Sequence, residues 1–139
     1  MANLKTPLQG YIGYRGREGQ VAFLLHRVSG IGTALFLTIH ILDTALVYFY
    51  PQLYEEAIGI YRTTLFGIAE LFLVFLVIYH GINGLRIAGF DLFVPQRWNI
   101  PTARGSFRLT LILALALWIP AAGVMLYNLL RHNFGLFGG

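Results

Sequence analysis

The chain contains no cysteine among its 139 residues. Disulfides, thiolate-ligated iron–sulfur clusters and covalent Cys-x-x-Cys-His haem attachment are therefore excluded. Charge is scarce too: six acidic and ten basic residues make up 12% of the sequence, against 57% hydrophobic residues. That balance excludes an ordinary soluble domain and leaves a membrane protein of single-domain size. The formal net charge of +4 at pH 7 does not indicate a nucleic-acid binder, because the basic residues are sorted by chain segment in the manner of a membrane topology signal.

What is present is three apolar blocks, at about residues 21–49, 64–90 and 107–130. Each exceeds the ~20 residues that a helix needs to cross a bilayer core. The predicted fold class is all-α: three transmembrane helices within residues 21–131, preceded by an N-terminal segment (1–20) and followed by a short tail (132–139). The first block does not read as a removable signal peptide, since it starts about twenty residues in and lacks an Ala-x-Ala-like cleavage site. Lys5, Arg15, Arg17 and Arg27 precede or begin the first block, and Arg86, Arg97, Arg104 and Arg108 cluster between the second and third. Only Arg62 and Arg131 fall on the other side. An excess of eight to two predicts a cytoplasmic N-terminus and second loop, with the C-terminus outside.

The connections carry their own signals. Gly10, Gly13, Gly16 and Gly19 alternate with Tyr11, Tyr14, Arg15 and Arg17 in a turn-rich stretch with no helical period, either a flexible tail or a surface for a soluble partner. Pro51 predicts a small surface helix in the tyrosine-rich first loop. Pro95, Pro101 and Gly105 predict the end of the second helix and a delayed start to the third. Pro120 lies inside the third block, where a membrane helix tolerates a kink.

Ionisable side chains at membrane depth are costly and mark functional sites by default. The first block carries His26, Arg27, Ser29, His40 and Asp43, and the second carries Glu70, His80 and Arg86. Fourteen residues separate His26 from His40, which at ~100° and 1.5 Å per residue returns to nearly the same helix face about 21 Å further along. His80 lies six residues, about 9 Å, before Arg86 at the inner end. The two deepest histidines, His40 and His80, are thus predicted at outer and inner depths. Gly30, Gly32 and Ala34, with Gly81, Gly84 and Gly89, permit a flat macrocycle or a neighbouring helix to approach closely. Neutral imidazoles at such depths suit either ligation of haem iron or hydrogen bonding to an adjacent helix. Arg27 and Arg86 are either snorkelling anchors or partners of propionates or a quinone carbonyl. Asp43 and Glu70, near the outer surface, read as polar helix contacts rather than a proton relay.

The string His26-Arg27-Val28-Ser29-Gly30, followed by Tyr79-His80-Gly81-Ile82-Asn83-Gly84-Leu85-Arg86 and then Asp91, resembles the cytochrome b membrane-anchor subunit of succinate dehydrogenase, respiratory complex II. The resemblance covers most of the chain. It implies a haem b whose inner iron is ligated by His80, with the other axial ligand from a second membrane-anchor subunit. In members with two haems it implies His40 as ligand of the outer one. It also implies His26, Arg27 and Arg86 beside the haem propionates or quinone, an iron–sulfur subunit and a flavoprotein subunit as partners, and a bacterial cytoplasmic membrane. Phe23 stands where ubiquinone-reducing members have a serine that contacts the quinone. Ser29, on the turn after the His26-Arg27 pair, is the alternative quinone contact, and a low-potential quinone such as menaquinone is the expectation. Without a flavin fingerprint or a cysteine set for clusters, the chain is not expected to oxidise succinate itself. A haem-free anchor and a small proton- or ion-conducting subunit are the competing readings.

Overall fold

The computed structural model describes residues 17–97 and 99–136. Among the described residues four α-helices follow one another: α1 (Arg17–Phe49), α2 (Pro51–Tyr61), α3 (Thr64–Phe93) and, after a single 3₁₀ turn at Pro95–Arg97, α4 (Ile100–Phe134). No strand occurs among the described residues. Three of the helices are long and apolar enough to cross a membrane: Glu18–Phe49, Thr64–Phe93 and Ile100–Phe134. Their 30 to 35 residues correspond to roughly 45–53 Å, more than the ~30 Å hydrocarbon core, so each extends into the interfaces.

The helix ends have local causes. Val94 precedes Pro95, whose ring disfavours helical geometry in the residue before it, and α3 stops there with Val94 at φ −144°. The third span begins at Ile100 rather than near Phe107 where the apolar block starts. Asn99 caps it, its side chain accepting from the Thr102 N–H at 3.0 Å, and Pro101 occupies the first turn, where its missing N–H costs nothing. The same proline and Gly105 that read as delay signals thus sit within the helix. Gly135 closes α4 in the left-handed region at φ 63°, a helix stop that suits glycine. The expected surface helix after Pro51 is α2. Residues 1–16 of the glycine- and tyrosine-rich segment lie outside the described residues, whereas α1 already includes Arg17.

α3 is the central element: it packs along both α1 and α4, which meet each other more sparsely. The enclosed residues lie toward the end of the bundle rich in arginine, hereafter the basic end. Ala22, Tyr79, Phe107 and Ala114 form the buried cluster, with Leu25, Phe75, Ile78, Ile82 and Leu111 against it. Most remaining large apolar side chains face outward, Ile31 and Leu85 at over 70% exposure among them. Such a surface is stable in lipid or against other apolar helices.

α4 runs on through Pro120, which has no N–H to offer the Ala116 carbonyl one turn earlier. Close by, Trp118 ties α4 to α3: its Nε1–H donates to the Leu71 carbonyl at 2.9 Å, and its ring meets Phe75 edge-on at 5.6 Å. Trp118→Phe keeps an aromatic ring against Phe75 and deletes the interhelical hydrogen bond. The expected loss is about 0.6 kcal/mol, the average measured for such bonds in membrane bundles, and no more than about 1.7 kcal/mol, read as a lower unfolding midpoint in detergent.

Candidate functional site

The site forms where the basic-end halves of α1 and α3 meet. Tyr79, fully buried, fixes their mutual height by donating its hydroxyl to the Ala22 carbonyl at 3.3 Å. One residue later on α3, the His80 ring lies flat against that of His26 from α1, with centroids 4.3 Å apart and planes 3° from parallel. The contact requires the absence of side chains nearby. A Cβ on Gly30 would lie 2.9 Å from His80 Cε1, closer than two carbons approach without something moving. Gly84 offers a similar bare surface to His26, whose Cε1 would stand 3.9 Å from a Cβ there. A Cβ at Gly81 or Gly89 meets nothing within 4 Å, so only part of the small-residue set serves packing within this chain.

The hydrogen bonding around His80 assigns its tautomer. Nδ1 lies 3.3 Å from the His26 carbonyl oxygen and 3.2 Å from Ser29 Oγ. A carbonyl oxygen only accepts, so Nδ1 carries a proton, and in the neutral imidazole the lone pair is then on Nε2. Ser29, completely enclosed, donates its own hydroxyl proton to the same His26 carbonyl at 3.0 Å. Its lone pairs are then the ones facing the imidazole. No described residue bonds to His80 Nε2. Among the described residues, buried His26 Nδ1 and the Oδ1 of Asn83, one turn beyond Tyr79, have no hydrogen-bond partner either.

The arginines divide. Arg27 is exposed and its guanidinium lies 5.2 Å from the ring centre of Phe23, one turn earlier on the same face, a cation–π arrangement. Arg86 is partly buried on α3. Arg104 and Arg108 from α4 both reach Glu18 of α1: Arg108 donates from Nη2 at 2.6 Å and from Nε at 3.2 Å, and Arg104 Nε stands at 3.6 Å. This exposed cluster links the two outer helices at the basic end and contributes little energy.

His40 is not drawn into this group. It is exposed near the opposite end of α1, its ring stacked on Phe36 at 5.4 Å. Glu70 is likewise exposed. Asp43, by contrast, accepts a hydrogen bond of 2.5 Å from the Tyr61 hydroxyl, clasping α2 onto α1. That bond, and the negative charge beside it, raise the Tyr61 pKa above its ordinary 10.0. Because the folded state prefers neutral Tyr61, the clasp is intact below pH 10 and is lost as pH rises through the folded-state value. A spectrophotometric tyrosine titration checks this: the difference between wild type and Tyr61→Phe should have its midpoint above that of an ordinary tyrosine.

Of the residues singled out from sequence, His26, Ser29, Gly30, His80 and Gly84 come together, with Arg27 on the outward side. The contact between Ser29 and His80 was not anticipated, although the three-residue step from His26 to Ser29 already places both on neighbouring parts of one helix face. Tyr79 and Asn83 carried no signal beyond their place beside His80 in the string.

Residues 8–121 match the model of the succinate dehydrogenase/fumarate reductase transmembrane subunit family. The chain belongs to this family. It is also similar to the succinate dehydrogenase 2 membrane subunit SdhC of Mycobacterium tuberculosis, with 36% identity over 80 residues. The matched segment is 58% of this chain and spans 59% of the length of that relative. The family match includes α1, α2, α3 and the first part of α4, so the His26–His80 site lies wholly within the stretch that defines the succinate dehydrogenase/fumarate reductase membrane subunits.

Proposed function

We propose that the chain is the haem b-binding anchor of a succinate:quinone oxidoreductase in a bacterial cytoplasmic membrane. It holds the iron–sulfur and flavoprotein subunits at the membrane together with a second membrane-anchor subunit, and it helps carry electrons between succinate and a membrane quinone. The observation that carries the reading is the state of His80. Ligating histidines commonly donate their other ring N–H to a carbonyl or carboxylate. His80 does so through Nδ1 to the His26 carbonyl, while Nε2 is left with its lone pair. The bare surface of Gly30 and the unengaged His26 Nδ1 add room and a polar partner. The residues present therefore fit a haem b held by His80 at an inner site, with His26, Arg27 and Arg86 as partners of its propionates.

When bound, such a group supplies one-electron storage between the iron–sulfur subunit and the quinone. The chain's own contribution is positional. α1 and α3 hold the imidazole, the apolar cluster around Tyr79 excludes water, and the basic end gathers positive charge where anionic groups are stabilised. Arg27, exposed beside Phe23, is placed to donate a charge-assisted hydrogen bond to a quinone carbonyl. Ser29 is enclosed and its hydroxyl is taken up by His26 and His80, which leaves Arg27 as the accessible donor of the set. The aromatic face of Phe23 in place of a hydroxyl favours a naphthoquinone of the menaquinone type. The same anchor serves a complex running toward fumarate reduction.

His40 is proposed as the ligand of a second, outer haem: an exposed imidazole at membrane depth needs a partner, and no described residue bonds to its ring nitrogens. Haem counted against flavin in the purified complex tests it. His40→Ala should remove one haem and leave the His80 site loaded. An unchanged haem count removes the outer site and leaves a single-haem anchor.

A further inference from the structure

We propose that Ser29 is a positioning residue for His80: its hydroxyl accepts from His80 Nδ1–H, holds the ring orientation, and sets how strongly the imidazole donates to iron. The inference rests on the reading of His80 as a haem ligand and goes beyond it to a residue that touches neither iron nor quinone. Three contacts close on one another. Ser29 Oγ donates to the His26 carbonyl at 3.0 Å, so its lone pairs are what it presents to His80 Nδ1 at 3.2 Å. The same carbonyl takes a share of the Nδ1 proton at 3.3 Å. A serine hydroxyl bonded back to its own helix is common. Here the hydroxyl is also 0% exposed, so no water competes for its lone pairs or replaces it.

Orientation follows from the same enclosure. His26 covers one ring face, in parallel at 4.3 Å. Gly30 borders the Cε1–Nδ1 edge, where a Cβ would stand 2.9 Å from Cε1 and 3.4 Å from Nδ1. The Nδ1 bonds are the remaining directional restraint against rotation of the ring about its Cβ–Cγ bond. Hydrogen-bond acceptors on Nδ1–H make an imidazole more basic at Nε2, and a stronger donor favours the ferric over the ferrous state. Removing one of two acceptors should therefore raise the haem potential while leaving the ligand in place.

The test uses the assembled complex purified from membranes, with Ser29→Ala, Ser29→Cys and Ser29→Thr. Ser29→Ala, which deletes the acceptor, and Ser29→Cys, which weakens it with a slightly larger atom, should retain the His80 haem. The ferrous state should gain by about fivefold to tenfold, tenfold being 59 mV for a one-electron couple, and the ferric low-spin resonance should shift. Ser29→Thr keeps the oxygen and should return both readouts toward wild type. Three results overturn the inference: potential and resonance unmoved in Ser29→Ala and Ser29→Cys, a Ser29→Thr shift as large as that of Ser29→Ala, or loss of haem from Ser29→Ala and Ser29→Cys alike, which makes the hydroxyl an assembly requirement. Haem that survives His80→Ala would instead overturn the reading underneath, and the inference with it.

Discussion

Gly30→Val is expected to empty the inner haem site while leaving the three-helix anchor in the membrane. The first carbon of any side chain at this position would stand 2.9 Å from His80 Cε1 and 3.4 Å from Nδ1. An imidazole at a free helix surface would swing aside at small cost. His80 is not free: His26 lies flat on its face, and Nδ1 is bonded to Ser29 and to the His26 carbonyl. Making room breaks those bonds or separates α1 from α3, and overpacking of this kind costs about 1–3 kcal/mol. Either outcome displaces Nε2 by more than an iron–nitrogen bond tolerates. Gly30→Ala, with one carbon instead of three, should lower haem content less and shift the spectrum of what remains. By comparison, a side chain at Gly81 meets nothing within this chain, and Gly81→Ala should leave the His80 ring where it is. Haem measured against flavin in the purified complex, with immunodetection of the chain in membranes, separates ligand loss from failure to assemble.

The architecture was legible in the sequence because a bilayer imposes a coarse rule on composition. Three apolar blocks became three long helices, and Pro51 opened the surface helix expected of it. The start of α4 was misread because an apolar block reports where lipid is met, not where helical hydrogen bonding begins. Asn99 and Pro101 start the helix in the interface before the first strongly apolar turn. Of the site, the placement of His26 and His80 toward the basic ends of α1 and α3 followed from helical spacing. The stacking of their rings, the Nδ1 bonds and the role of Gly30 did not, since each depends on how α1 and α3 are rotated against one another. That rotation is set by the Tyr79–Ala22 bond and the enclosed cluster around it. The shared face of His26 and His40 held only in part: α3 covers His26, and His40 is left open beside Phe36. One helix face can therefore serve two surroundings along its length.

The second large effect is that of His80 itself. Replacing it with alanine removes the imidazole of the stacked pair whose Nδ1 is engaged and to whose Nε2 no described residue bonds. His26 is not a ready substitute. It is set on α1 against Gly84, and no described residue bonds to its Nδ1 to orient it as His80 is oriented. Loss of the proposed iron ligand, unlike loss of an orienting contact, should leave no correctly bound haem at the proposed inner site. The apolar cluster and the Tyr79 bond should still hold the helices together. The most direct measurement is the reduced-minus-oxidised optical spectrum of the purified complex, wild type beside His80→Ala, with haem counted against flavin. The account predicts a b-type α band in the wild type and loss of one haem in His80→Ala from a complex that still assembles. A wild-type complex without that band, or a His80→Ala complex with its haem count unchanged, would contradict it.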